Sequence, residues 1–366
     1  MEVYVLFNIF FKETLGHLEN YGLFLVFDGH RGSSYANTIA KEFATFLTNQ
    51  TPFSTMNKED EYDEQQLKLG LREAFLQYDK EKRLEGRTSG TTVSGILITP
   101  KHIFVMNIGD SRSLICRSGE LFFETKDHKP THETERTRIH QAGGNTNDCR
   151  LNGRLSLSRA LGNFEYKNNK NLNQIEQALS PEADITVLER NRMNDDFIVI
   201  CTDGIFHRMS NQQVIQFLTD RIPYKQNQKD VCHEIMDYCL YKGSKDNISV
   251  ILLHFDNSSI KQDADKIKQD EDLDTKLRLF TQEYVDEQFA NNKSAYGWVH
   301  CFNKIDELYK ESIFDKHEIT RHYGITLKKG VIYDEFDKLV MEIKDKRNQE
   351  ALRWMIEQRE KEQNDN

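Results

Sequence analysis

Two pairs of apolar runs are separated by only two or three residues, and this spacing constrains the fold more than any other feature of the chain. Residues 92–99 and 102–108 are rich in β-branched side chains and flank Pro100-Lys101, while residues 113–117 and 121–125 flank Ser118-Gly119. A connection this short joins antiparallel neighbours only, because a parallel pair needs a crossover of roughly a dozen residues or more. Residues 22–27 form a uniformly apolar run bounded by Gly and Asp-Gly, the pattern of a strand buried on both faces. Residues 197–202 and 247–255 read the same way. Helices are expected over 33–49, 65–82, 130–141, 210–219 and 228–242; in the last, Val231, Ile235, Tyr238 and Cys239 share one face. Hairpins together with helix pairs predict an antiparallel α+β domain and argue against a doubly wound parallel sheet.

The 366 residues include 22 Phe and 14 Tyr, enough to fill a sizeable core even though hydrophobic residues make up only 37%. Acidic residues number 59 against 49 Lys plus Arg, a formal charge of -10. That balance argues against nucleic acid as the main ligand, since phosphate backbones are held by clustered cations. Six Cys without a CxxC pair read as reduced thiols, and no run approaches the ~18 apolar residues of a membrane helix. A soluble, cytoplasmic protein without a membrane or nucleic-acid partner is the expectation. The pattern changes after Phe255: residues 256–274 are polar and read as a linker, and 275–366 as a helical appendage to the 1–255 domain. In the appendage Phe336, Leu339, Val340 and Ile343 make a stripe that continues through Leu352, Met355 and Ile356. Packing within a small bundle is the first reading of that stripe, and docking of a protein partner the second.

Four Asp residues stand where a strand meets a turn: Asp28, Asp110, Asp203 and Asp246. Any one of them is ordinarily just turn chemistry. Their recurrence is different, because carboxylates brought together near a core stay ionised only beside a cation. An all-oxygen donor set selects magnesium or manganese over zinc, and two such ions can activate a water and clamp a transferring phosphoryl group.

Nine short motifs follow one another along the first seven tenths of the chain. They are Phe27-Asp-Gly-His-Arg-Gly32, the run at 89–98, Gly109-Asp-Ser-Arg112, Asp127-His-Lys-Pro130, Gln141-Ala-Gly-Gly144, Leu157-Ser-Arg-Ala-Leu-Gly162, Ser180-Pro-Glu182, Thr202-Asp-Gly-Ile-Phe206 and the run at 243–250. In this order they resemble the metal-dependent, type 2C serine/threonine protein phosphatase family. The tail is more weakly similar to the extra helical domain of its alpha-type animal members. The resemblance implies a β-sandwich of two antiparallel sheets flanked by helices, with a two-metal site at one end. It implies magnesium or manganese as the cofactor, a phosphoserine or phosphothreonine protein as substrate, and direct attack of an activated water on phosphorus without a phosphoenzyme. Carried onto this sequence, Asp28 would bridge two metals, the Gly29 carbonyl would bind one, Glu2, Asp203 and Asp246 would complete their ligands, and Asp110 would help hold a weaker third. His30 matches the general acid.

The sequence departs from the family pattern at three places. The family's phosphate-holding Arg, a few residues before its Met-Glu-Asp stretch, has no counterpart around Met1-Glu2, and the first strand is expected to be short. Phe206-His207 stands where the family has Trp-Asp. Arg31 replaces a small residue, either as a solvated turn residue or as a substitute contact to the substrate phosphate. These departures support an alternative, a catalytically inactive pseudophosphatase serving as a scaffold. Arg150, Arg154 and Arg159 are either strand and turn charges or a basic approach to the metals. His128, His132 and His140 read as structural or surface residues, because Pro130 breaks the helical face they would share and no Cys accompanies them.

Overall fold

The computed structural model describes residues 3–10, 21–55, 62–83 and 88–290. Glu2 and the apolar stripe at 336–356 lie outside them. In chain order the elements are β1 (Val3–Phe10), β2 (Gly22–His30), α1 (Ser34–Thr48), α2 (Glu64–Lys82), β3 (Gly90–Thr91), β4 (Val93–Ile98), β5 (His102–Ile108), β6 (Arg112–Arg117) and β7 (Glu120–Glu124). Then come α3 (Glu133–Gln141), β8 (Leu161–Gly162), β9 (Asp184–Glu189), β10 (Asp195–Cys201), α4 (Asp203–Phe206), α5 (Asn211–Arg221), α6 (Gln228–Tyr241), β11 (Val250–His254) and α7 (Ala264–Ala290).

Among the described residues the strands form two antiparallel sheets. The larger runs β8-β3-β2-β4-β5-β9, with β1 also paired to β2, and the smaller runs β11-β10-β6-β7. Both expected hairpins are present, as β4–β5 and β6–β7. Strand parity builds the layers. Leu23, Leu25 and Phe27 of β2 join the residues of α1 and α2 in one core, with Phe43 stacked on Phe75 at 4.6 Å. Val26, on the opposite face, joins Ile96, Ile103, Val105, Ile115, Ile198, Ile200 and Ile251 in the layer between the sheets. β-branched side chains fill that layer because they pack well on a pleated surface. The uniformly apolar β2 therefore serves two cores at once, which is why its sequence shows no alternation.

The chain forms two compact units, one of residues 1–219 and 242–261, the other of 220–241 and 262–366. The stretch 256–274, expected as a linker, is helical from Ala264 onward. Asp263 explains the start of the helix: its carboxylate accepts hydrogen bonds from the Asp265 and Lys266 amides, capping the first turn. Ion pairing then compensates for the weak apolar pattern. In this second unit Arg221 pairs with Glu234 at 2.7 Å and with Asp270 at 3.3 Å, and Lys225 pairs with both acids at 2.7 Å. Asp270, a polar residue of the expected linker, is thus buried and matched.

Candidate active site

The four strand-end aspartates converge because of register. Cys201, the last residue of β10, lies opposite Arg112, the first of β6, and opposite Val250, the first of β11. The loop carrying Asp110, the start of α4 carrying Asp203 and the loop carrying Asp246 therefore meet at one edge of the smaller sheet. Asp28 comes from the larger sheet, on the same strand face as Val26, which puts it in the inter-sheet layer at that same end. The local devices differ. Asp28-Gly29 is not the turn expected from its sequence: β2 continues through Gly29 and His30, which pair with Thr91 and Gly90 of β3. At Asp110 the chain does turn, with Gly109 at φ +106. At Asp203 a helical turn begins, and Gly204 permits a close approach: a Cβ there would stand 2.6 Å from the Asn247 carbonyl oxygen. This contact brings Asp203 up against the Asp246 loop.

The resulting cleft, of about 420 Å³, is lined by Asp28, Asp110, Asp203 and Asp246, with His30, Arg31, Lys129, Arg150, Arg154 and His207 among its other walls. Its electrostatics are those of carboxylates short of positive charge. Burial, reinforced by Asp203, Asp110 and Asp246, pushes the Asp28 carboxyl up to about 8. Burial, then Asp110 and Asp246, pushes Asp203 up to about 6. Lys129 bonds Asp110 and is the internal cation of the cluster. Asp203 Oδ1 is buried without a hydrogen-bond partner. An orphaned acceptor among mutually repelling carboxylates is the electrostatic outline of a divalent-cation site. The residues fit hard, oxygen-coordinated ions, and His207 adds one imidazole: ligand atoms of Asp203, His207 and Asp246 all lie within 4.8 Å of one another.

His30 is fixed from the side. The Asn163 amide donates through Nδ2 to the Thr88 carbonyl at 2.9 Å, which orients its Oδ1 to accept from His30 Nε2 at 2.5 Å. Burial lowers the His30 pKa below its ordinary value, against the Asn163 bond, Asp110 and the Asp28 backbone, which favour the protonated ring. Asn163 was not singled out in the sequence. Its signal is conformational, since it sits at φ 47, a left-handed position that Asn tolerates better than most residues. Arg31 is also left-handed, at φ 58. Its guanidinium pairs with Glu165 and lies 6.0 Å from the Tyr166 ring.

The three arginines of the basic stretch separate. Arg150 and Arg154 are exposed on the cleft wall. Arg159 turns inward and bonds Glu135 at 2.7 Å and Asp184 at 2.9 Å. Asp184 in turn contacts His128 Nε2 at 3.1 Å, and His128 Nδ1 accepts from the Gly109 amide at 3.0 Å. The buried His128 is structural, and this chain of contacts runs from α3 to the turn that carries Asp110.

Comparison with known proteins agrees with this geometry. The profile of the family described as protein phosphatase 2C matches residues 5–248. Protein phosphatase 1A of Bos taurus is 38% identical over 277 residues, 74% of this chain and 72% of that protein. Protein phosphatase 1B of Mus musculus is 35% identical over 277 residues, 73% and 70% of the two chains. The crystal structure of a phosphatase from a pathogenic strain of Toxoplasma gondii superposes with a TM-score of 0.58 at 25% identity, covering 70% of this chain and 88% of that one.

Proposed function

Since this chain belongs to the protein phosphatase 2C family of metal-dependent protein serine/threonine phosphatases, we propose that its four-aspartate cleft hydrolyses phosphoserine and phosphothreonine in protein substrates with two magnesium or manganese ions and a weaker third. One observation carries the reading: Asp28, Asp110, Asp203 and Asp246 arrive from separate elements at one end of the sandwich, and two of them are forced well above the usual carboxylate range. A fold gains nothing from such repulsion unless a cation relieves it. Asp28, the Gly29 carbonyl, Asp203 and Asp246 would hold the principal ions, together with Glu2, and Asp110 would help hold the third. Bound there, the cations would lower the pKa of a water and draw charge from the phosphoryl oxygens.

The remaining roles fall to the chain's own side chains. Arg150 and Arg154 offer positive charge to the phosphoprotein at the cleft wall, where Arg31 is already engaged by Glu165. His30, oriented by Asn163, gives its proton to the leaving seryl or threonyl oxygen as the P–O bond breaks. Burial makes its imidazolium a stronger acid than a solvated one. His207, in place of the family's Asp, supports a turnover below that of its relatives. Carried further, the same substitution supports the scaffold reading, in which the fold binds phosphoproteins without hydrolysing them.

Phosphate release from a phosphothreonine peptide separates these readings. Release that requires manganese or magnesium and disappears in Asp203→Ala is the expected result. Equal release by both proteins overturns the assignment of the site, and none from the folded, cation-loaded wild type leaves the scaffold.

A further inference from the structure

The imidazole at position 207 changes the donor chemistry of one corner of the cleft. α4 is a single helical turn, and the His207 amide donates to the Asp203 carbonyl at 2.9 Å, closing it. The i,i+4 spacing carries the His207 ring back over Asp203, with Nε2 3.7 Å from Oδ2. That separation is too long for a hydrogen bond, so the ring nitrogen is an electrostatic neighbour of the carboxylate without being tied to it. The other oxygen, Asp203 Oδ1, is buried and unbonded. Asp246 completes a set of three donors close enough to share one ion. The ring itself is exposed at the mouth of the cleft, free of the packing that would fix a structural histidine.

We infer that Asp203, His207 and Asp246 form a mixed nitrogen–oxygen centre that takes a first-row transition cation, such as manganese, in preference to magnesium. First-row transition ions, manganese among them, tolerate an imidazole among oxygen donors, whereas magnesium holds to oxygen donors and water. The inference rests on the metal-dependent reading of the cleft and deepens it, by assigning a selectivity to one of its positions.

The test is binding, read without turnover. The 366-residue chain stripped of cations is titrated calorimetrically with manganese and with magnesium, alongside His207→Asp and His207→Ala. Electron spin-echo modulation of bound manganese reports whether a nitrogen nucleus is coordinated. Wild type should show ¹⁴N modulation that both variants lose. His207→Asp should shift the manganese-to-magnesium affinity ratio toward magnesium by about tenfold or more, the scale on which even groups that only support a ligand act. Manganese bound without ¹⁴N modulation, or an unchanged ratio in His207→Asp, overturns this inference and leaves the phosphatase reading standing. Failure of the wild type to bind either cation overturns both.

Discussion

At the residue scale the cleft is a set of groups that the fold holds against their own preference. Asp28 has a native pKa raised above its unfolded value of 3.8, to about 8. Near neutral pH the unfolded carboxyl is ionised while the native one resists ionisation, so without a cation the Asp28 charge costs stability. Asp28→Asn should therefore raise the Tm of the metal-stripped protein by at least about 3 °C, the shift that roughly 1 kcal/mol produces in a domain of this size. Phosphate release by the same variant should fall on the order of a hundredfold or more, because an anionic donor of the proposed cation site is gone. A variant that is both less stable and less active would mean that Asp28 is a structural residue. Arg154 poses the milder case. It is exposed on the cleft wall, and an exposed charge contributes about 1 kcal/mol or less. Arg154→Ala should raise the KM for a phosphopeptide up to about fivefold with kcat little changed, since the proposed contact would be made equally before and during the chemistry. A fall in kcat at constant KM would place Arg154 at the reacting phosphoryl group instead.

At the scale of elements, the turn carrying Asp110 is linked to α3 through Glu135, Arg159, Asp184 and His128, of which Glu135 and His128 are buried. Burial pushes the Glu135 carboxyl up, but hydrogen bonds from Arg159 and the charges of Arg138 and Arg159 outweigh it and hold it at about 2, against 4.5 unfolded. The depressed native pKa contributes stability that is present above pH 4.5 and is lost as pH falls toward 2. Glu135→Gln should cost about 3 kcal/mol at pH 7, because Arg138 and Arg159 stay buried with a weakened partner, and the gap to wild type should narrow as pH falls to 3. Urea unfolding across that range measures it, and a gap independent of pH would mean that packing, not charge, sets the cost. How legible such elements were depended on the kind of signal. Hairpins were readable because two-residue turns leave one geometry, and the aspartates because each lies at the end or the start of an apolar run. The continuation of β2 past Asp28 was hidden, since Asp-Gly is turn chemistry unless another strand, here β3, pairs with it. The start of α7 was hidden because Asp270 is matched by Arg221 and Lys225, 49 and 45 residues away in sequence. Asn163 and Arg159 act through partners that no local pattern specifies.

At the scale of the whole sandwich, the proposed cation site couples the two sheets. Asp28 belongs to the larger sheet, Asp203 and Asp246 flank strands of the smaller one, and Asp110 lies in the connection from β5 to β6 that crosses between them. An ion held by this set would tie the sheets at one end, where isoleucines and valines join them through the middle. Ligand that binds only the native state adds about 2.7 kcal/mol of stability at a hundredfold excess over Kd. Wild type should therefore gain roughly 5–10 °C in Tm on adding manganese. Asp28→Asn, already relieved of its repulsion and short of one donor, should gain much less. Hydrogen exchange locates the effect more sharply than melting does. Opening of the sandwich at the cleft end exposes the amides at the close of β2, the close of β10 and the start of β11, while β7 at the sheet edge opens independently. Cation should slow exchange in the first three segments and leave β7 almost unchanged. Protection spread evenly over both sheets would mean that the ion stabilises the fold only globally, and protection confined to the smaller sheet would remove Asp28 from the ligand set.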